Sequence, residues 1–428
     1  MAEHGPLLGH RVELLIGGPA HGGSCVARHE GRAVFVRHAL PGETVIALVT
    51  EDAGGPFCFA DAVEVLVASS DRVHAPCPYA GPGRCGGCDW QHVDAAAQRE
   101  LKAEVIRDQF TRLAGLDVAG LLEKVVALPG GPLHWRSRNT YAVDRDGRPG
   151  MRVHRSHEVI PIEGCLLGTD SVGDAAALGA TWPGLSGIEV ARGDGPDVTV
   201  LSHSPGPGRQ SRGRRPPDRV RLVSGPARLR YQALGRDFSV AAGSFWQVHP
   251  EAVEAFATAL LDGLRPLPGE SVLDLYAGSG ALTASLAGAV GPTGRVLGLE
   301  SSAVGVADAA GNLADLPQAE VRRGRVDEQV LAGLEMHPDV VVLDPPRAGA
   351  GRAVMQGLLG LGARAVGYVA CDPAALARDV GTALGSGWRL VSLQAFDAFP
   401  MTHHVECVAV LEPDDTDRVR TTRVPGST

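Results

Sequence analysis

Aromatic residues are scarce in this chain: phenylalanine, tryptophan and tyrosine together make up 4% of its 428 residues, which leaves few rings for stacking nucleobases. Long apolar runs are missing too. None reaches the roughly 18 to 20 residues that cross a bilayer, so no membrane span is expected. Positive charge is in deficit, with 40 Lys and Arg against 49 Asp and Glu and a net charge of -9. That balance argues against indiscriminate polyanion binding but leaves room for a local basic groove. The start, Met1-Ala2-Glu3-His4-Gly5, lacks the basic-then-apolar pattern of a secretory leader, which predicts a cytoplasmic chain. In that compartment the eight cysteines are not expected to form disulfides, and their spacing points to metal binding or catalysis instead.

The length accommodates two or three domains, each with its own core, and 44% hydrophobic with 21% charged residues describes an ordinary globular protein. From Arg11 to Val67, short β-type runs (Val12 to Ile16, Arg32 to Val36, Thr44 to Val49, Ala60 to Val67) alternate with glycine turns, the spacing of a small β-barrel. Arg11, Arg28, Arg32 and Arg37 make nucleic acid a rival to a purely supporting role. A cysteine-rich loop follows. Asp94 then reads as a helix cap, with Ala97, Leu101, Val105, Phe110 and Leu113 recurring at helical spacing until Gly115. Arg99, Lys102 and Arg107 fall off that stripe and are expected on a solvated face.

The middle third reads as irregular, with an exposed Gly/Pro/Arg loop from Ser204 to Asp218 carrying Arg209, Arg212, Arg214 and Arg215. From Val248 onward, strand and helix patterns alternate as in a doubly wound α/β layer, closed by two late strands too near one another for a helical crossover and hence antiparallel. The expected domains are a barrel over 1–69, a central α+β domain over 70–240, an α/β domain over 241–414 and a polar tail over 415–428.

Two places in the last domain carry chemistry. Tyr368-Val369-Ala370-Cys371-Asp372-Pro373 ends an apolar strand in a thiol, and His404-Val405-Glu406-Cys407 supplies a carboxylate farther on; a thiol and a carboxylate at the rim of a sheet suit covalent addition to a ring. Val272-Leu273-Asp274-Leu275-Tyr276-Ala277-Gly278-Ser279-Gly280 runs a strand into a glycine turn and a helix, with Glu300 ending the next strand where a carboxylate can accept ribose hydroxyls. This predicts an adenosine-containing cofactor, S-adenosylmethionine ahead of NAD because the full G-x-G-x-x-G is missing. Asp327 either reaches the adenine or caps a helix. Asp344-Pro345-Pro346-Arg347 follows a further strand as a rigid loop suited to reading a base.

These motifs, in this order with Gly243-Ser244-Phe245-Trp246-Gln247-Val248-His249-Pro250, closely resemble the uracil-5 RNA methyltransferase family, and the first 70 residues resemble its TRAM domain. The resemblance implies a class I, Rossmann-like methyltransferase domain, Cys371 as the nucleophile adding to C6 of uracil and Glu406 as the base that removes the C5 proton. It further implies Gln247, Asp274, Tyr276, Gly278, Glu300, Asp327 and Asp344 around S-adenosylmethionine, with Asp344 and Phe245 also at the base, although core packing suits Phe245 equally. Arg136 and Arg138 become candidates for holding RNA, ribosomal RNA ahead of transfer RNA, by a monomer. Departures from the family pattern are Ala277 for a frequent cysteine, Asp372 for asparagine, and Trp246 and His249 for commoner residues.

Cys77, Cys85 and Cys88 in a Gly/Pro loop, with Cys165 farther on, form a soft ligand set for zinc or iron–sulfur. The resemblance favours a structural [4Fe-4S] cluster. Cys25, Cys58 and Cys407 read as buried fillers. Two other readings stand beside the enzyme: a non-catalytic iron–sulfur RNA-binding protein, and a cytosine C5 enzyme, which would want a further carboxylate for N3.

Overall fold

The computed structural model describes residues 7–169, 172–206 and 218–414; the Arg209, Arg212, Arg214 and Arg215 group and the polar tail lie outside them. Alternation of apolar residues closes the first five strands into a barrel. They are β1 (Arg11–Pro19), β2 (Cys25–His29), β3 (Arg32–Arg37), β4 (Thr44–Glu51) and β5 (Phe57–Val67), in the order β1-β2-β3-β5-β4. In β1, Val12, Leu14 and Ile16 face inward while the residues between them are exposed. The expected barrel is present, with β2 as a strand that was too short and too broken by arginine to stand out.

Helix α1 (Ala95–Gln109) starts where Asp94 accepts the Ala96 N–H at 2.8 Å, continues as a π-turn over Phe110–Ala114 and stops at Gly115 in a left-handed conformation. Leu101, Val105 and Phe110 are buried as their spacing required, whereas Leu113 is 41% exposed. Lys102 corrects the sequence reading. It lies fully inside, its ammonium 2.6 Å from Asp397 and 3.1 Å from the Phe399 carbonyl. Its stem follows the core while its charge finds a partner remote in sequence. Truncating Lys102 to alanine would strand a buried carboxylate, so Lys102→Ala is expected to lower unfolding free energy by about 3–5 kcal/mol in a denaturant titration. A loss below about 1 kcal/mol would show that the pair is hydrated.

The middle of the chain is not irregular. After β6 (Val125–Ala127) come β7 (Arg138–Val143), β8 (Pro149–Arg152) and β9 (Val159–Pro161). Then follow α2 (Val172–Gly179), β10 (Gly187–Arg192), β11 (Val198–Ser204) and β12 (Arg219–Ser224). Six of these strands form an antiparallel sheet in the order β12-β11-β10-β7-β8-β9, and β13 (Arg228–Ala233) pairs β14 (Arg236–Ala241) as a hairpin. Short strands rich in arginine hid this sheet: all six residues of β12 are exposed.

The last layer begins with α3 (Ala252–Leu264), whose Val253, Phe256, Leu260 and Leu264 are buried. Strands β15 (Ser271–Leu275), β16 (Arg295–Glu300), β17 (Ala319–Arg323), β18 (Val340–Leu343) and β19 (Ala365–Ala370) run parallel. Between them lie α4 (Ala281–Val290), α5 (Ala303–Asn312), α6 (Glu328–Ala332) and α7 (Arg352–Leu359). Beyond them come α8 (Pro373–Leu384), β20 (Trp388–Asp397) and β21 (Glu406–Pro413). The sheet order is β17-β16-β15-β18-β19-β21-β20-β6, with β21 antiparallel to both neighbours. This is the expected doubly wound α/β layer with its antiparallel closure. It also takes a strand from early in the chain, since β6 pairs parallel to β20 and α1 packs into the same core. Among the described residues, no helix is long and apolar enough to cross a membrane.

Candidate functional site

Strand order reverses between β15 and β18, so a crevice opens outside their carboxyl ends. A cavity of about 220 Å³ lies there, lined by Phe245, Trp246, Gln247, Tyr276, Gly278, Glu300 and Asp344 among others. The glycine turn shapes it. Gly280 caps α4 at φ 86°, where an added Cβ would approach Ala309 to 3.2 Å, and Tyr276 holds φ 66°, a costly conformation for a ring-bearing residue. Glu300 braces the turn, accepting the Gly278 N–H at 3.0 Å on one oxygen and the Ser302 N–H at 2.5 Å on the other. A carboxylate has about four acceptor positions, so these bonds leave it capacity for hydroxyls.

Asp274 is not on the cavity wall. It is buried one layer below, where its Oδ2 accepts the Thr283 hydroxyl at 2.5 Å and its Oδ1 has no partner. Burial pushes its carboxyl up to about 7, with Glu300 adding to the rise and Thr283 opposing it. Asp344 takes the Gln247 amide N–H at 3.3 Å and is likewise raised, by burial first and then by Asp274. Asp327 caps α6, accepting the Val330 N–H at 2.9 Å, and is not among the cavity residues. Phe245 is 68% exposed at the cavity mouth, whereas Trp246 is buried and stacks on Tyr231 with ring centres 4.6 Å apart.

Strand register brings the thiol and the carboxyl singled out in the sequence together. Ala370 at the end of β19 pairs with Cys407, so the next residue along one strand, Cys371, meets the preceding one on the other, Glu406. Because β21 runs antiparallel, its first residue lies on the rim where the parallel strands end. Glu406 is 3% exposed, one of its oxygens has no partner, and burial followed by the nearby Asp344 raises its carboxyl well above the ordinary range. The Cys371 thiol is pushed up to about 12, by burial first and then by Glu406 and Asp344. Arg347 opposes both shifts. It acts on thiol and carboxyl alike, and its place in Asp344-Pro345-Pro346-Arg347 was the signal for it.

Arg138 does not offer RNA a free charge. Its guanidinium is paired with Glu189 inside the central sheet and donates to the Ala242 carbonyl at 2.8 Å. Arg136 faces Cys165 and Tyr141.

The four spaced cysteines share one neighbourhood. Cys77, Cys85 and Cys165 all act on the partly buried Cys88, whose thiol is pushed up to about 12 by desolvation first. Their sulfurs receive donors: the Gly87 N–H reaches Cys85 Sγ at 3.4 Å and the Gln91 amide reaches Cys88 Sγ at 3.3 Å. Among the described residues, no three or more His, Cys, Asp or Glu side chains converge as the ligands of a single metal ion. Cys25, Cys58 and Cys407 are buried as expected.

Residues 7–63 match the TRAM domain, 320–413 match tRNA (Uracil-5-)-methyltransferase, and 244–329 match Protein-L-isoaspartate(D-aspartate) O-methyltransferase. An "Uncharacterized RNA methyltransferase" of Streptomyces avermitilis is 46% identical over 95% of this chain and 99% of its own length. The "23S rRNA (uracil(1939)-C(5))-methyltransferase RlmD" of Shewanella sp. MR-7 is 31% identical over 92% of this chain and 93% of its own. The fold matches that of Pyrococcus abyssi tRNA (uracil-54, C5)-methyltransferase, in complex with S-adenosyl-L-homocysteine, at TM-score 0.69 and 20% identity, covering 94% of this chain and all of that one. A TRAM barrel, a methyltransferase layer and relatives aligned over nearly the whole length identify an RNA methyltransferase enzyme: the chain belongs to the uracil-5 RNA methyltransferase family.

Proposed function

We propose that the protein methylates C5 of a uridine in 23S ribosomal RNA through a covalent bond between Cys371 and C6. The observation that carries this reading is the pairing of Ala370 with Cys407, which sets a thiol beside a buried carboxyl at the edge of the cofactor cavity. Uracil C5 is too poor a nucleophile to take a methyl group unaided. The Cys371 thiol gives its proton to solvent, the thiolate adds to C6, and the electron pair moves to C5, which takes the methyl from the sulfonium as a neutral thioether leaves. Glu406 then takes the C5 proton, the C5–C6 double bond reforms, and the thiolate leaves. Asp344 stands between the two ligands. Arg347 offsets negative charge as the thiolate forms.

S-adenosylmethionine supplies the methyl group as a cationic sulfonium. Burial holds Asp344 on the cavity wall and Asp274 next to it partly protonated near neutrality, and their ionised forms suit this charge. A cation beside them favours their ionised forms, so binding should release protons near pH 7. Titration calorimetry in buffers of different ionisation enthalpy is expected to show that release, and to show less of it for S-adenosylhomocysteine, whose sulfur is neutral.

Four soft sulfur donors in one neighbourhood suit an iron–sulfur cluster, which would be structural here. Cys77, Cys85, Cys88 and Cys165 would hold it, tying the cysteine loop to the central sheet. Anaerobically purified protein should carry about four irons per chain, and Cys88→Ala should lose them; stoichiometric zinc in both would remove the cluster from the account.

The long relative named for 23S ribosomal RNA supports that substrate, and the descriptions of the matching family and fold favour transfer RNA as the second reading. Mass-spectrometric mapping of 5-methyluridine in RNA from cells with and without the gene separates them. Loss from one 23S nucleotide is expected, loss from transfer RNA would move the substrate, and an unchanged map would defeat the reading.

A further inference from the structure

The turn between β1 and β2 reaches from the barrel to both segments that carry the reacting pair. His21 Nε2 lies 3.0 Å from Oδ2 of Asp372, the residue directly after Cys371. The other Asp372 oxygen accepts the Ala375 N–H at 2.8 Å and caps α8. Asp372 is therefore held from two sides, once by its own helix and once by a barrel side chain 351 residues away in sequence.

This turn is anchored independently of His21. Trp90 donates its indole N–H to the Gly23 carbonyl at 3.1 Å, and a Cβ on Gly23 would meet the Asp89 carboxyl at 3.0 Å. Asp89 accepts the His403 backbone N–H at 3.2 Å and lies 2.7 Å from its ring nitrogen Nδ1. His403 belongs to the short segment leading into Glu406. One barrel turn thus bears on the flanks of nucleophile and base alike.

We propose that His21 is a positioning residue for methyl transfer, fixing the Asp372 carboxylate and with it the backbone that presents the Cys371 sulfur, so that the barrel and the reacting thiol are set relative to one another. The inference rests on Cys371 being the nucleophile. Magnitudes separate this role from a merely structural one. His21 and Asp372 keep 38% and 25% of their side-chain surface exposed, and an ion pair so placed adds little to stability. A displacement of about 1 Å at a reacting atom, by contrast, can cost on the order of 100-fold in rate. The signature of positioning is a slower reaction in a protein that melts normally.

The test compares full-length wild type, His21→Ala and His21→Gln, using total RNA from cells lacking the gene and saturating S-adenosylmethionine. His21→Ala is expected to lower kcat by about 10- to 100-fold, with KM for RNA, cofactor affinity and melting temperature close to wild type. His21→Gln keeps an N–H donor at similar reach and should recover most of the rate. An unchanged kcat in His21→Ala, or a loss that appears only in KM or only with a fallen melting temperature, overturns the proposal. Adduct formation with 5-fluorouridine-substituted RNA distinguishes the two levels of failure. If wild type forms no adduct, the nucleophile reading falls and the positioning role falls with it; if wild type and His21→Ala form it equally fast, the positioning role alone is wrong.

Discussion

Replacing Cys371 with alanine should abolish methyl transfer, by on the order of 10⁴-fold or more, while leaving cofactor binding intact. The size follows from the chemistry: without sulfur at C6 no electron density reaches C5, and the neighbouring Cys407 thiol is fully buried. Retention of the cofactor follows from geometry, because Cys371 is not among the residues lining the cavity. Two measurements check this together. Wild type should form a stable adduct with 5-fluorouridine RNA, since fluorine at C5 cannot leave as a proton does, and Cys371→Ala should form none. Methyl transfer surviving in the alanine variant within tenfold of wild type would mean that the thiol is not the nucleophile.

Glu406→Gln has a different expected outcome. The side chain keeps its shape, and burial and Asp344 already disfavour the ionised form of the carboxyl it replaces, so the fold is expected to tolerate the change. Turnover should fall by about 10²- to 10⁴-fold, with the C5-methylated protein–RNA adduct accumulating because elimination stalls. Adduct absent and methyl transfer normal would remove Glu406 from the reaction.

The pH dependence has a definite sign. Both groups are shifted upward, and both act in the ionised form, so wild-type kcat should climb from pH 6 into the alkaline range. Glu406 also affects stability. A carboxyl raised above its unfolded value contributes stability that is complete at low pH and lost as pH rises through the folded value. Glu406→Gln removes that loss, so its melting temperature should gain on wild type as pH rises above the ordinary carboxylate range.

What could be read before the fold was known followed from physical pattern. Strands β18 and β19 are buried at every position, so they appear in sequence as unbroken apolar runs, and the motifs at their ends mark the rim. The barrel showed itself through alternation. Other features depend on contacts that a linear pattern does not carry. Lys102 looked solvated because Asp397, its partner, lies 295 residues away. Arg138 looked available because Glu189 could not be paired with it from spacing. The central sheet was hidden because its strands are short and several carry arginine, although Tyr141, Ile188, Val190 and Val200 on them pack into an apolar cluster. Cys371 and Glu406 could be named from their motifs, but their meeting across β19 and β21 is a matter of register, which one residue of slippage would undo.

The parallel pairing of Val125–Ala127 with Ala395–Asp397 has a consequence for synthesis and engineering. The outermost rung of the catalytic layer leaves the ribosome before any of the strands it will flank, and must wait for them. A fragment begun at residue 241 would expose the backbone edge of β20 and the apolar surface that α1 covers, inviting chain-to-chain association. The methyl-transferring half is therefore expected to stay soluble only when made together with the segment that precedes it.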